Sequence, residues 1–133
     1  MTRRIIREAL VTIFTAEGSF NQVLGYAPVS VDGMDKVLSI FSDKTHHKQE
    51  SLHLEHNFYS FSLDVLVKRS GGETAEDTLD DLHEVVRDVI GDNQGNAIWE
   101  YLSLEDPSDA YFAEISGVAY RVEKHLLFIK ENA

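Results

Sequence analysis

The sequence has no cysteine, only two prolines and no long hydrophobic run. Without cysteine the chain can form neither a disulfide scaffold nor a thiolate site for zinc or an iron–sulfur cluster, and it has no thiol nucleophile. The apolar residues after the basic start are interrupted at Glu8, and no run approaches the roughly 18 apolar residues of a membrane span. We therefore expect neither secretion nor membrane insertion, and the composition is compatible with a reducing cytoplasm.

Basic residues are scarce as well. The 12 Lys and Arg stand against 23 Asp and Glu, which gives a formal net charge of -11 over 133 residues. Such a surface repels phosphate, so the composition disfavours a protein that reads nucleic acid. The length is typical of one compact domain whose hydrophobic core needs no disulfides or structural metals for stability. We assign residues 1–133 to a single domain.

Two segments show the periodicity of helices with one buried face. The first runs from Thr2 to Ala16 and is expected to stop at Gly18. The second runs from Thr74 to Ile90, begins with a capping-box-like acidic turn and is expected to end with Gly91 at the C′ position. Its predicted buried residues are Ala75, Leu79, Leu82, Val86, Val89 and Ile90.

Strand patterns fill most of the remaining chain. The strongest covers His53 to Arg69 and places five apolar residues on one face: Tyr59, Phe61, Leu63, Val65 and Val67. Ser60, Ser62 and Asp64 stand opposite, so this second face is either wet or covered by a partner. The other predicted β segments are a short one within 23–28, Val37 to Phe41, Ala97 to Leu102, and the stretch from Tyr111 to Lys130.

The order of these segments predicts an α+β fold, with a largely antiparallel sheet and two helices packed on one face. Polar residues from Ser42 to Ser51 predict an exposed, mobile loop, and Ser70 to Glu73 is expected to behave in the same way. Both loops are expected to become ordered on assembly.

Histidines cluster in the polar stretch, where His46, His47, His53 and His56 lie close to Glu50 and Glu55. Histidine-rich clusters can bind zinc, nickel or copper, but residues three apart on a strand point to opposite faces and a loop enforces no ligand geometry. We therefore interpret these histidines as solvated and expect no metal site.

Signals for an enzyme are weak. The carboxylates of the second helix, Asp77, Asp80, Asp81 and Glu84, stand opposite its apolar face and are typical of a solvated surface. Gly71-Gly72 lacks the lysine of a phosphate-binding loop, and no serine lies in a Gly-x-Ser-x-Gly elbow. We expect no catalytic residue and no cofactor.

Aromatic residues exceed the needs of a small core and fall on both faces of the predicted strands. Helices can cover only one of these faces, so we take six aromatic residues as candidates for a subunit or partner interface, with core packing as the alternative for each. They are Phe58, Tyr59, Trp99, Tyr101, Tyr111 and Phe112. Tyr120 belongs to the same aromatic-rich surface.

Four segments together resemble the tail terminator, or tail completion, family of long-tailed bacteriophages: the helix from Arg4 to Leu10, the strand from Phe58 to Val67, the helix from Ala75 to Val86, and the closing stretch from Glu114 to Val122. The resemblance spans nearly the whole chain and rests on element order, length and apolar pattern. Small head–tail connector or neck proteins share a similar element order and remain an alternative.

The resemblance implies a structural protein of the virion, assembled in the host cytoplasm, that forms a hexameric ring at the head-proximal end of the tail. Such a ring stops polymerisation of the tail tube protein and offers a docking surface to head–tail connector proteins. DNA passes through it without specific binding, and Asp43, Glu50 and Asp64 are our candidates for acids that line the lumen. The alternative from another class is a small cytoplasmic domain that binds a ligand or metal through its histidine-rich segment.

Overall fold

The computed structural model describes residues 2–28, 34–49, 55–69, 72–105 and 108–131. Its elements follow the chain as α1 (Thr2–Glu17), β1 (Gln22–Leu24), β2 (Val37–Gln49), β3 (Glu55–Lys68), α2 (Glu73–Asp92), β4 (Trp99–Leu104), β5 (Asp109–Ile115) and β6 (Val118–Glu131).

The strands of the described chain form one sheet in the order β1-β2-β3-β6-β4. Strand β5 also pairs with β6, so β4 and β5 lie one after the other along the same edge of β6. Only the β1–β2 pair is parallel among these strands. The prediction of an α+β fold with a largely antiparallel sheet is confirmed.

Both helices pack on one face of the sheet, which we call the helix face; the opposite one is the open face. Helix α1 buries Ile6, Leu10 and Phe14, which follow one another at four-residue steps and bring one stripe onto the sheet. All six predicted core residues of α2 are buried. The predicted inward face of β3, from Tyr59 to Val67 in steps of two, completes this main core.

The ends of α2 differ from the prediction. The helix begins at Glu73 after Gly72, which makes no side-chain cap, and it continues through Gly91 to Asp92. The amide side chains of Asn93 and Gln94 donate to the carbonyls of Val89 and Ile90, so two carbonyls at the helix end are satisfied without a glycine cap. By contrast, α1 does stop before Gly18, whose φ of 87° is favourable only for glycine.

The prediction of a loop from Ser42 to Ser51 is wrong for residues 42–49. These residues continue β2 and pair with β3 from Ser42↔Phe61 to Gln49↔Glu55. Backbone hydrogen bonds between paired strands form in polar segments as well as in apolar ones. The polar composition of residues 42–49 therefore does not reveal that they pair with β3. Residues 50 and 51 of the expected loop lie outside the described residues, as do Ser70 and Gly71, whereas Glu73 is helical.

A second, smaller core lies on the open face, which is therefore not simply wet. Leu24, Val37, Leu66, Tyr120 and Val122 form this core. The Tyr120 hydroxyl donates to the Met34 carbonyl at 2.8 Å, and the Ser39 hydroxyl donates to the Tyr26 carbonyl. Segments adjoining 29–33 thus cover one end of the open face. Ser60 and Ser62, farther along β3 on the same face, are buried as well.

Candidate functional site

The uncovered end of the open face carries an aromatic patch, which we call the open-face patch: Phe58, Tyr101 and Phe128. Phe58 and Tyr101 both pair with Lys130, from the two sides of β6, and Phe128 lies two residues before Lys130 on the same face. Tyr101 is 41% exposed and Phe128 is 40% exposed. The Lys130 ammonium lies 6.0 Å from the Phe58 ring centroid and 3.2 Å from Glu100 Oε2. The patch therefore places exposed aromatic area, of the kind enriched at interface hot spots, beside a cation near an aromatic ring.

A register shift in β4 separates Trp99 from Tyr101. The ladder slips between these two residues, so Trp99 faces the main core although strict alternation would place both residues on one face. Trp99 is fully buried and its Nε1 donates to the Asn93 carbonyl at 2.8 Å. Tyr59 is buried in the same core. The prediction of an interface role is wrong for Trp99 and Tyr59.

A second aromatic surface, the arginine patch, lies on the helix-side surface of β5 and consists of Phe112, Arg69 and Arg121. Phe112 is 61% exposed, and each guanidinium carbon stands 4.4 Å from its ring centroid. Arg121 is also held by an ion pair with Glu76 of α2. The ring is thus exposed in a fixed position between two cations.

Tyr111 borders a cavity of about 160 Å³ on the open face, together with Pro28, Asp64 and Ile115. Burial raises the pKa of the Asp64 carboxyl, against the opposing effects of the Ser62 hydroxyl and of Lys124. Burial also raises the pKa of Tyr111, and the nearby Asp64 adds to this effect. Asp64 is therefore a partly buried acid, and its assignment to a solvated lumen wall is corrected.

Of the other two predicted lumen acids, Asp43 and Glu50, only Asp43 lies among the described residues. Asp43 is exposed and lies at the register shift between β2 and β3, so its side chain is accessible. Glu50 lies outside the described residues.

One group of potential metal ligands comes together in the described part of the chain: His83 of α2 with Glu123 and His125 of β6. His83 Nδ1 lies 3.1 Å from Glu123 Oε2, and His125 Nε2 lies 3.6 Å from Glu123 Oε1. The two imidazole centroids are 5.3 Å apart. We call these three residues the histidine cluster.

A buried imidazole nitrogen and a buried carboxylate distinguish the histidine cluster from ordinary core packing. His125 is only 3% exposed, and its Nε2 has no hydrogen-bond partner within the described part of the chain. Burial lowers the pKa of His125, while the Glu123 charge opposes this shift. Glu123 in turn accepts a hydrogen bond of 2.7 Å from the Ser108 hydroxyl. A buried carboxylate is thus fixed in place next to an unsatisfied imidazole nitrogen.

The histidine cluster opens on a cavity of about 380 Å³ between α2, β4 and β6. His83 and His125 line it on one side, and Arg87, Gln94 and Glu105 contribute polar groups elsewhere. A water molecule or a small ligand can therefore reach the cluster from solvent.

Sequence reasoning pointed to other histidines. His46 and His47 lie in β2 and His56 lies in β3, within the paired polar ends of these strands (residues 44–49 and 55–60), which we call the polar hairpin. His53 lies outside the described residues. His83 and Glu123 are 40 residues apart and meet only because α2 packs across β6. The one available signal was the inward position of Glu123 and His125 in the alternation of β6.

Comparisons with known proteins identify no family: no protein-family model matches the chain, and neither does any curated protein sequence. The resemblance to tail terminators therefore stays a prediction. Neither helix in the described ranges is long and apolar enough to cross a bilayer.

Proposed function

We propose that the chain is a phage tail terminator, a structural protein that caps the tail tube as a ring of six subunits and joins it to the head connector. The observation that carries this proposal is the pair of separate exposed aromatic surfaces, the open-face patch and the arginine patch. They lie on opposite faces of one sheet.

A head-to-tail ring requires this kind of arrangement. Each subunit must offer two different surfaces, one to each neighbour, and the rotation between neighbours must close. A single patch would instead favour a two-fold dimer. Tyr101, Phe128 and Phe112 supply large rigid contact areas on the two surfaces, and aromatic residues with arginine are the types enriched at such contacts.

Strand β5 adds a third feature that suits assembly. Its ladder partner is β6, and most of its side chains are exposed. An edge strand offers backbone N–H and C=O groups to a strand of another chain. Phe112 lies within β5, so the edge and the arginine patch form one continuous surface for a neighbouring subunit.

The acidic charge is consistent with a channel for DNA. If Asp43 faces the lumen, six copies form a circle of negative charge that repels phosphates. An Asp43→Lys ring should retain duplex DNA at low salt and release it as salt rises, because retention would depend on released counterions. The matched change on the solvated face of α2, Asp80→Lys, should retain much less DNA, and equal retention by both variants would leave the charge as a solubility property.

Substitutions in the two patches test the ring. Mass measured by light scattering across a concentration series should show the parent forming assemblies larger than its 15.0 kDa chain. The Tyr101→Ser and Phe112→Ser variants should each shift the equilibrium toward the monomer. Tyr26→Ser, at a 60% exposed tyrosine outside both patches, should not. Unchanged assembly of both patch variants would contradict the proposed contacts.

The alternative function, a small domain that binds a metal or another ligand, is favoured by one observation. The histidine cluster adjoins a cavity large enough for a small molecule. This site uses different histidines from those of the polar hairpin, and it is compatible with assembly because it lies between α2 and β6.

A further inference from the structure

We propose that His83, Glu123 and His125 form a zinc site with a fourth, exchangeable position open to the neighbouring cavity. The inference is independent of the ring, because the three residues belong to one subunit and lie in neither aromatic patch.

The distances fit the ion. Ligand atoms about 2.0–2.1 Å from a tetrahedral zinc lie about 3.4 Å from one another. Each imidazole nitrogen lies about this far from one of the two carboxylate oxygens of Glu123: His83 Nδ1 is 3.1 Å from Oε2, and His125 Nε2 is 3.6 Å from Oε1. All three ligand atoms are within 4.8 Å of one another, and His83, whose side chain is 30% exposed, has room to turn toward the others.

The unsatisfied nitrogen of His125 is the independent sign of a ligand. A buried polar atom without a partner loses its hydration without compensation, so native proteins rarely keep one without a use. Among the described residues His125 Nε2 has no hydrogen-bond partner, and the carboxylate oxygen Glu123 Oε1 stays 3.6 Å away. A metal ion between Glu123 and His125 would use this lone pair.

The donor set favours a transition metal over magnesium or calcium. Two imidazoles and one carboxylate suit zinc, whereas the hard cations prefer oxygen ligands alone. Ser108 would act as a positioning residue, because its hydroxyl fixes one carboxylate oxygen of Glu123. The cavity leaves the fourth position to water or to a small anion beside Arg87.

Calorimetric titration of the chelator-treated full chain with Zn²⁺ tests the site. We expect one zinc per chain, and a cobalt-loaded sample should show the intense visible absorption of tetrahedral Co²⁺. The His83→Ala and Glu123→Gln variants should bind zinc at least about tenfold more weakly, and Ser108→Ala about tenfold more weakly. His83 is partly exposed, so its variant should fold normally, which circular dichroism checks.

The polar hairpin provides the matched control. Replacing His46, His47 and His56 together with alanine should leave zinc stoichiometry and affinity unchanged. The proposal is overturned if the parent shows no saturable zinc binding, if His83→Ala binds as tightly as the parent, or if the triple variant loses the site. Mass measured on the same samples keeps a failure of this site distinct from a failure of assembly.

Discussion

The register shift in β4 makes a sharp prediction, because it gives two aromatic residues only two positions apart opposite roles. Replacing Trp99 with phenylalanine removes its hydrogen bond to the Asn93 carbonyl, which contributes about 1 kcal/mol net. It also removes about 40 Å² of buried apolar surface, worth about 1 kcal/mol at 25 cal/mol per Å², and leaves a small cavity. The expected loss is about 2–3 kcal/mol. Tyr101→Ser on the open face should cost less, about 1 kcal/mol of monomer stability, because this side chain is 41% exposed in the subunit.

Urea unfolding followed by far-ultraviolet circular dichroism measures both effects, since fluorescence is lost with the single tryptophan. With a slope of about 1–3 kcal/mol per M, the midpoint of Trp99→Phe should fall by about 0.7–3 M. Measurements at two protein concentrations separate assembly from subunit stability. A Trp99→Phe midpoint equal to that of the parent, or an equal loss for Tyr101→Ser at low concentration, would refute the assignment of the two faces.

Three further substitutions test other parts of the fold by the same unfolding assay. Gly91→Ala should stabilise the protein by up to about 1 kcal/mol, because Gly91 lies within α2 and an added Cβ meets nothing within 4 Å; a destabilised variant would contradict its helical position. Tyr120→Phe should cost about 1 kcal/mol through the lost bond to the Met34 carbonyl, and no cost would mean that this contact is absent in solution. Asp64→Asn keeps the Ser62 contact but removes the buried charge. Burial raises the pKa of Asp64 in the folded state above its ordinary value of 3.8, so the stability of the parent should fall relative to that of Asp64→Asn as the pH rises from below 3.8 through the raised pKa. A stability difference that stays constant over this rise would refute the burial of the charge.

Alternation and helical periodicity were enough to predict the main architecture. The apolar steps of α1, α2 and β3 assigned their buried faces correctly, because these elements are regular over most of their length. The polar half of β2 could not be predicted in this way, since its pairing with β3 depends on backbone hydrogen bonds. The side of the sheet that Trp99 faces could not be predicted, because the bulge in β4 inserts one extra residue between Trp99 and Tyr101. Strict alternation, which would place both side chains on one face, therefore fails there.

The candidate sites were predictable only in part. Exposed aromatic residues at Tyr101, Tyr111 and Phe112 agree with the expectation that strands present aromatic side chains to solvent or a partner. The cover over the open face depends on where the chain near Tyr26 and Met34 returns to the sheet, which no local pattern specifies. The histidine cluster likewise depends on helix–sheet packing between distant parts of the sequence.

Negative-stain electron microscopy of the purified protein, at the concentration that gives its largest mass, shows whether the subunits close into rings. We expect closed rings with a central opening and six-fold symmetry, which disappear in the Tyr101→Ser variant and persist in Tyr26→Ser. Particles that stay single subunits at every concentration, or that form two-fold dimers or open filaments without rings, would contradict this expectation.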